Sequence, residues 1–312
     1  MAKLPQTQDP TLQAADAQLV ATQDRSRRKY LGMSAIGDPC ERKLWMAFRW
    51  ASQETFDAPT LKRFEDGHRT EDLIIARLRM VPGLEIHDRE EGGGQIACVD
   101  FGGHFRGHLD WMCRGLIQAP KAWHVGEMKA SAKIAELKKH KATLGEKNAL
   151  LAWNQTYYGQ AQCYMGYQQV ERHWLVCTTP GGREWTSVRT EFDPVAFMKL
   201  KAKAERIIFS DEAPPRIGDA TNFACRWCHF APICHESALP DRECRNCIHA
   251  EVLREGGWRC AAGHEFGTAC GDHRWLPSML NAMQVDVVNG TDIVYQWRSN
   301  GEGWVDAGSD SM

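Results

Sequence analysis

Residues 107–131 read GHLDWMCRGLIQAPKAWHVGEMKAS, a stretch patterned like a β-hairpin that carries an acid in each arm. Successive side chains of a strand point to opposite faces. In WHVGEMK, therefore, Trp123, Val125, Glu127 and Lys129 share one face, and His124, Gly126 and Met128 share the other. Glu127 and Lys129 are neighbours on that face. In the partner run FRGHLDWMC, Asp110 lies on the face of His108 and Met112. If this is also the face of Glu127, two carboxylates converge beside one ammonium, which makes a candidate cation site. An isolated ExK triplet is ordinarily a cross-strand ion pair, so the rest of the chain has to decide between the two.

Working outward, 312 residues with 43% hydrophobic and 25% charged suit a soluble chain of one large domain and a small appendage. The apolar runs are too short to span a membrane, and MAKLPQTQDPTLQAADAQ lacks the apolar core of a signal peptide. A cytoplasmic location without a membrane partner is expected. The formal charge of -2 gives no global attraction to nucleic acid, so DNA binding requires a local basic patch. The lysines from Lys133 to Lys147 supply one. Alone they read as a solvated face; beside a phosphodiester site they read as phosphate contacts.

Twelve cysteines in a chain read as cytosolic argue for metal binding rather than disulfides. Cys40 with Cys225, Cys228 and Cys234 forms one group, and Cys244, Cys247, Cys260 and Cys270 a second. Cys98, Cys113, Cys163 and Cys177 stand alone in apolar segments and read as core. Four thiolates at the first group's spacing suit either a tetrahedral zinc or a [4Fe-4S] cluster. The second group has zinc-ribbon spacing, with His264 or His273 as substitute ligands, and reads as a structural Zn2+ knuckle that could dock a partner or DNA.

Along the chain, residues 1–30 form a polar arm ending in DRSRRK, and a helix begins after Pro39. In LKRFEDGHRTEDLIIARLRM the residues Phe64, His68, Glu71, Ile75 and Leu78 recur at helical spacing, which predicts an inward stripe containing Glu71 and a core or supporting role for His68. A buried acid in such a stripe needs a partner or a cation. Strands are expected near 95–101, 104–113 and 122–129. The segment ALLAWNQTYYGQAQCYMGYQQ reads as one helix with Trp153, Tyr157, Gln160, Tyr164 and Tyr167 on one side. A strand follows at ERHWLVCTT, then a helix capped by Asp193. DIVYQWRSNGEGWVDAG suggests a terminal hairpin around its Asn-Gly pair. No GxxxxGK[ST] phosphate loop occurs.

The order GxxxE (Gly67 to Glu71), GHLD (Asp110), GEMK (Glu127, Lys129) and QxxxY (Gln160 to Tyr164), bracketed by Cys40 and CxxCxxxxxC, resembles the RecB-type nucleases of the PD-(D/E)XK superfamily. It is most similar to their iron-sulfur-containing group, which includes CRISPR-associated exonucleases and AddB-like nuclease domains. The similarity covers roughly residues 30–236. Those CRISPR-associated relatives often carry His where this chain has Glu71. The resemblance implies an α/β restriction-endonuclease-like core, a mixed sheet flanked by helices, over residues 31–236 and closed by a [4Fe-4S] cluster on Cys40, Cys225, Cys228 and Cys234. A zinc-binding module at 237–278 and a hairpin tail at 279–312 would follow.

Carboxylates suit Mg2+ or Mn2+. Asp110 and Glu127 would hold the ion with the backbone carbonyl of Met128, Glu71 would complete the shell, and Lys129 would act on the nucleophilic water. Gln160 and Tyr164 would position the DNA strand. The expected activity is a metal-dependent DNA nuclease, an exonuclease on ends or single strands in recombination, repair or phage DNA processing, with a recombination, annealing or helicase protein alongside. The alternative is a catalytically weak DNA-binding adaptor that recruits a recombination or replication partner through its zinc module.

Overall fold

The computed structural model describes residues 9–267 and 269–308. In chain order its first half runs α1 (Pro10–Ala21), β1 (Leu31–Gly32), α2 (Glu41–Phe48), α3 (Ala58–Leu78), β2 (Glu85–His87), β3 (Ala97–Asp100), β4 (Phe105–His108), β5 (Trp111–Arg114) and β6 (His124–Ala130). There follow α4 (Ile134–Leu144), α5 (Glu146–Trp153), α6 (Gln155–Gln168), β7 (Arg172–Thr178), β8 (Trp185–Glu191), α7 (Pro194–Phe209), α8 (Phe223–Arg226) and α9 (Ala231–His235). The chain ends with β9 (Ala250–Val252), β10 (Trp258–Cys260), β11 (Ala282–Val288), β12 (Asp292–Trp297) and β13 (Gly303–Asp306).

The chain is a mixed α/β protein whose central sheet has the order β2-β5-β6-β7-β8. Within it β6 and β7 pair in parallel, and the other pairs are antiparallel. Parallel neighbours need a long crossover, which α4, α5 and α6 provide. On the α6 face, Val125, Leu175, Cys177 and Val188 pack with Ala161, Tyr164 and Met165. The opposite face is covered by α3, where Ile74, Ile75 and Leu78 meet Trp111, Met128, Trp174 and Val176. Gly126 leaves room for this layer, since a Cβ there would lie 1.7 Å from the Trp111 indole nitrogen.

Three expectations are corrected. Residues 104–113 are not one strand: β4 pairs with β1 and β3, while β5 belongs to the central sheet, and Leu109 and Asp110 bridge the two. The aromatic helix is two helices, because Asn154 takes an extended conformation and its side chain caps α6 by accepting from Tyr157 N at 3.0 Å. On α3, the Phe64 and His68 side chains are exposed, and after Ala58 the next buried residue is Thr70. The amino-terminal half of that stripe therefore projects beyond the sheet.

The C-terminal tail is a three-stranded sheet, β11-β12-β13, in place of a lone hairpin. Asn289 and Gly290, with φ angles of 53° and 76°, form the turn from β11 to β12. Trp258, Val252, Leu276 and Met279 pack into the principal core. Arg245 lies 4.0 Å from the Trp50 ring centroid and 4.9 Å from that of Trp258, and so clamps the β9–β10 hairpin to the segment after α2. No helix among the described residues is long and apolar enough to cross a membrane.

Candidate active site

Asp110 stands at the point where the chain passes from one sheet to the next. Trp111 opposes Gly126 in the antiparallel register, so Asp110 comes level with Glu127. Its Oδ2 accepts from the backbone N–H of Met128 at 2.7 Å. In an antiparallel pairing, one residue's N–H and C=O face the same edge of its strand. The Met128 carbonyl therefore faces the edge where Asp110 sits.

Glu127 is buried at 2% exposure. Its Oε1 accepts from Lys129 Nζ and from Gln160 Nε2, the latter at 2.9 Å. The same Gln160 nitrogen lies 3.3 Å from Tyr164 Oη. The other carboxylate oxygen, Glu127 Oε2, is buried and meets no hydrogen-bond donor. A buried oxygen left this way costs the full desolvation of the group.

The surroundings concentrate negative charge. Burial, with Asp110 nearby and Lys129 opposing, pushes Glu71 on α3 up to about 7. Burial also raises Asp110, against the opposing Lys129 charge and Met128 N–H. Lys129 is lowered by burial despite Asp110 and Glu71. Three carboxylates thus share one ammonium, and an all-oxygen set of this kind is suited to a hard divalent cation. Among the described residues no three His, Cys, Asp or Glu side chains are drawn around a single point closely enough to hold an ion. Here Glu127 Oε1 is occupied by Lys129 and Gln160, and Asp110 by the Met128 N–H.

Further residues complete this neighbourhood. Tyr157 lies three residues before Gln160 on α6, and Lys129 Nζ sits 5.1 Å from its ring centroid. Gly107 admits Tyr164, since a Cβ there would lie 2.4 Å from Tyr164 Cε1. Arg28 and Arg106 place their guanidinium carbons 5.5 and 5.7 Å from the Tyr30 ring centroid. Tyr30 in turn meets His108 edge-on at 6.4 Å. Neither arginine has a carboxylate partner among the described residues. The helical spacing of Tyr157, Gln160 and Tyr164 carries a signal for this neighbourhood; Gly107 and the arginines, which come from distant parts of the chain, carry none.

The expected basic patch is largely neutralised within the fold. Lys138 pairs with Glu184, Lys141 with Glu146 at 2.8 Å and Lys147 with Glu191 at 2.7 Å. The acids that quench it lie on α5, on β8 and in the turn just before β8.

Each cysteine group lines a cavity. Cys40, Cys225, Cys228 and Cys234 surround about 330 Å3. Cys40 is the N-cap of α2, its Sγ accepting from Lys43 N at 3.4 Å. Cys244, Cys247, Cys260 and Cys270 surround about 20 Å3. A single water-sized sphere fills roughly 10–15 Å3. The second cavity is thus of single-ion size, and the first is large enough for a multi-atom group. The proposed substitute ligands are engaged elsewhere: His273 Nε2 with Asn246 Oδ1 at 3.0 Å, and His264 with Asp272 at 2.7 Å. In neither cavity do three cysteines converge on one point.

No protein-family model and no curated protein matches the chain. Among solved structures, the chain is similar to an alkaline exonuclease from Laribacter hongkongensis, with 14% identity over 61% of this chain and 90% of that one and a TM-score of 0.40. A second structure of that exonuclease, in complex with dAMP, gives 14% identity over 58% and 87%, with a TM-score of 0.40. A phage-related exonuclease from Haemophilus somnus 129PT gives 14% identity over 54% and 77%, with a TM-score of 0.37. At likenesses of this size, the chemistry has to be read from the chain's own side chains.

Proposed function

We propose that the chain is a Mg2+- or Mn2+-dependent deoxyribonuclease with a PD-(D/E)XK-type core, acting as an exonuclease on DNA ends or single strands. The observation that carries this reading is Glu127 Oε2, a buried oxygen with no donor, beside Asp110, Glu71 and Lys129. The Lys129 ion pair engages Oε1 only and leaves this oxygen unanswered. A divalent ion, by contrast, would meet it and offset the crowding that raises Glu71 and Asp110.

Asp110, Glu127 and the Met128 carbonyl would hold the ion, with Glu71 completing the set. Such an ion polarises a phosphoryl oxygen and lowers the pKa of bound water. Lys129 Nζ takes the proton of the attacking water or donates to a phosphoryl oxygen. The water oxygen bonds to phosphorus as one P–O ester bond breaks, leaving a phosphate and a hydroxyl end. Gln160 fixes the Glu127 rotamer. Tyr157 and Tyr164 pack beside Lys129 and Gln160, and Arg28 and Arg106 present unpaired cations suited to the phosphate backbone. In the same reading the wide cysteine cavity holds a [4Fe-4S] cluster and the narrow one holds Zn2+, both as structural groups.

The test is incubation of anaerobically purified protein with end-labelled single- and double-stranded DNA in Mg2+, Mn2+ or chelator, alongside Glu127→Gln. Metal-dependent cleavage that Glu127→Gln abolishes is expected. DNA binding without cleavage in any metal would replace the nuclease with the adaptor reading.

A further inference from the structure

Arg42, two residues after Cys40 on α2, is only 6% exposed. Its Nη1 donates to the carbonyl of Pro214 at 3.2 Å, and Nη2 donates to those of Ser278 and Met279 at 2.8 and 3.0 Å. Its Nε is buried with no partner. No carboxylate among the described residues pairs with it. The contrast with Arg49 is direct, since that fully buried guanidinium is matched by Asp211 at 2.7 Å. Carbonyl dipoles solvate a guanidinium but do not neutralise it, and arginine cannot shed its charge.

Asp219 and Glu236 act on the neighbouring His235 without pairing with Arg42, and the groups that face Arg42 directly are cysteines. Arg42 lines the cavity of Cys40, Cys225, Cys228 and Cys234 and faces the Cys234 sulfur. Lys43 and Arg216 line the same wall, and the Asp38 carboxylate there is already paired with Lys43 at 2.7 Å. Four neutral thiols would leave this wall strongly positive. Four thiolates around Zn2+ or around an oxidised [4Fe-4S] core leave a net charge of about -2.

We propose that Arg42 is the buried counter-charge of an anionic metal–thiolate group in this cavity, and that it couples retention of that group to docking of the turn at residues 277–279. The proposal rests on the reading that these four cysteines hold a metal group. The coupling follows from Arg42's other partners: the guanidinium that faces the cysteines also holds the carbonyls of Ser278 and Met279, just before β11. With the group lost, Arg42 keeps an unpaired buried charge, and the turn it holds loosens. By linkage, undocking the turn weakens retention of the group to the same degree.

The test uses the full chain, purified anaerobically, as wild type, Arg42→Met, Arg42→Lys and Arg216→Met. Iron and zinc content, the rate of metal release to chelator, and hydrogen exchange over residues 279–297 are measured. Arg42→Met should release metal about tenfold faster and raise exchange in that segment by a similar factor, and Arg42→Lys should recover part of both. If the group is iron-sulfur, the reduced-to-oxidised ratio at fixed potential should fall about tenfold in Arg42→Met, equivalent to about 59 mV for one electron. Arg216→Met removes a rim charge together with its hydrogen bond to Asn281 Oδ1 at 2.9 Å, so metal release is its readout, and this should shift in the same direction by a smaller factor even if Arg42→Met fails to fold. Equal release and exchange in all four proteins would overturn the proposal. Wild-type protein with no metal on these cysteines would overturn the underlying reading instead.

Discussion

The carboxylate cleft and the cysteine-lined end of this molecule both bury polar groups, but for opposite ends. In the cleft, Glu71, Asp110 and Glu127 are crowded against one lysine, and one carboxylate oxygen is left with no donor. That arrangement works against the fold, and in the proposed reading a divalent cation offsets it. At the other end, two sets of four cysteines come from distant or otherwise weakly held segments; Cys40 and Cys225 lie 185 positions apart. In the proposed reading these thiols are cross-linked through metal, and the domain draws stability from the link. Substitutions in the cleft should therefore cost rate and spare stability, whereas substitutions among the cysteines should cost stability first.

The largest effect is expected at the cleft. Asp110→Asn and Glu127→Gln should each lower Mn2+-dependent cleavage by roughly 10³-fold or more, the scale on which removing a preorganised electrostatic contact acts. Neither should lower the melting temperature. Glu71→Gln should raise it by about 2 °C in metal-free protein, because burial and Asp110 disfavour the ionised form. A cleft variant that unfolds while retaining cleavage would erase the contrast. Lys129→Met should lose roughly 10²–10⁴-fold in rate while calorimetry still records Mn2+ binding.

Next in size is the cysteine end. Cys228→Ser should lower thermal stability by several degrees, because the closure from residue 40 to residue 225 is lost. Cys247→Ser should do so as well, by loosening the Arg245 and Trp258 contacts to Trp50 and Phe48. Differential scanning calorimetry against metal content checks both. An unchanged melting temperature with the metal gone would make these sites something other than staples.

Gly107→Ala probes the support of the cleft. The new Cβ would collide with Tyr164, so a cost of about 1–3 kcal/mol is expected in chemical denaturation, together with a loss of rate as Gln160 shifts.

The smallest effect is in pH. Burial, with Lys129 and His124 nearby, pushes His173 down to about 3, so it stays neutral in the fold below the range where the unfolded chain protonates. The unfolded state then binds the extra proton, and stability falls as pH drops from about 6.5 toward 3, by up to about 1.4 kcal/mol per unit. Above 6.5 there is no contribution. Denaturation at pH 7 and 5 should show this difference in wild type and a smaller one in His173→Asn.

The chemistry of the cleft was legible in the sequence because strand alternation and motif order are local. Glu127 and Lys129 share a face whatever the fold around them, Gln160 and Tyr164 are one helical turn apart, and both cysteine sets announce themselves by spacing. The course of the chain through Asp110 was not legible. Alternation continues from Phe105 to Arg114, and nothing in it marks the change of sheet that carries Asp110 level with Glu127.

The sequence by itself determined which residue types could do chemistry and on which side of each element they lie, since pleat and helical pitch are properties of the local backbone. The tertiary structure alone decided which charges remain unmet. It paired the lysines of α4 and α5 with Glu184, Glu146 and Glu191, left Arg28 and Arg106 without acids, and buried Arg42 beside four cysteines. Whether a charge is answered depends on partners many positions away in the chain, and only the packing of helices on sheets brings those partners within Coulomb range.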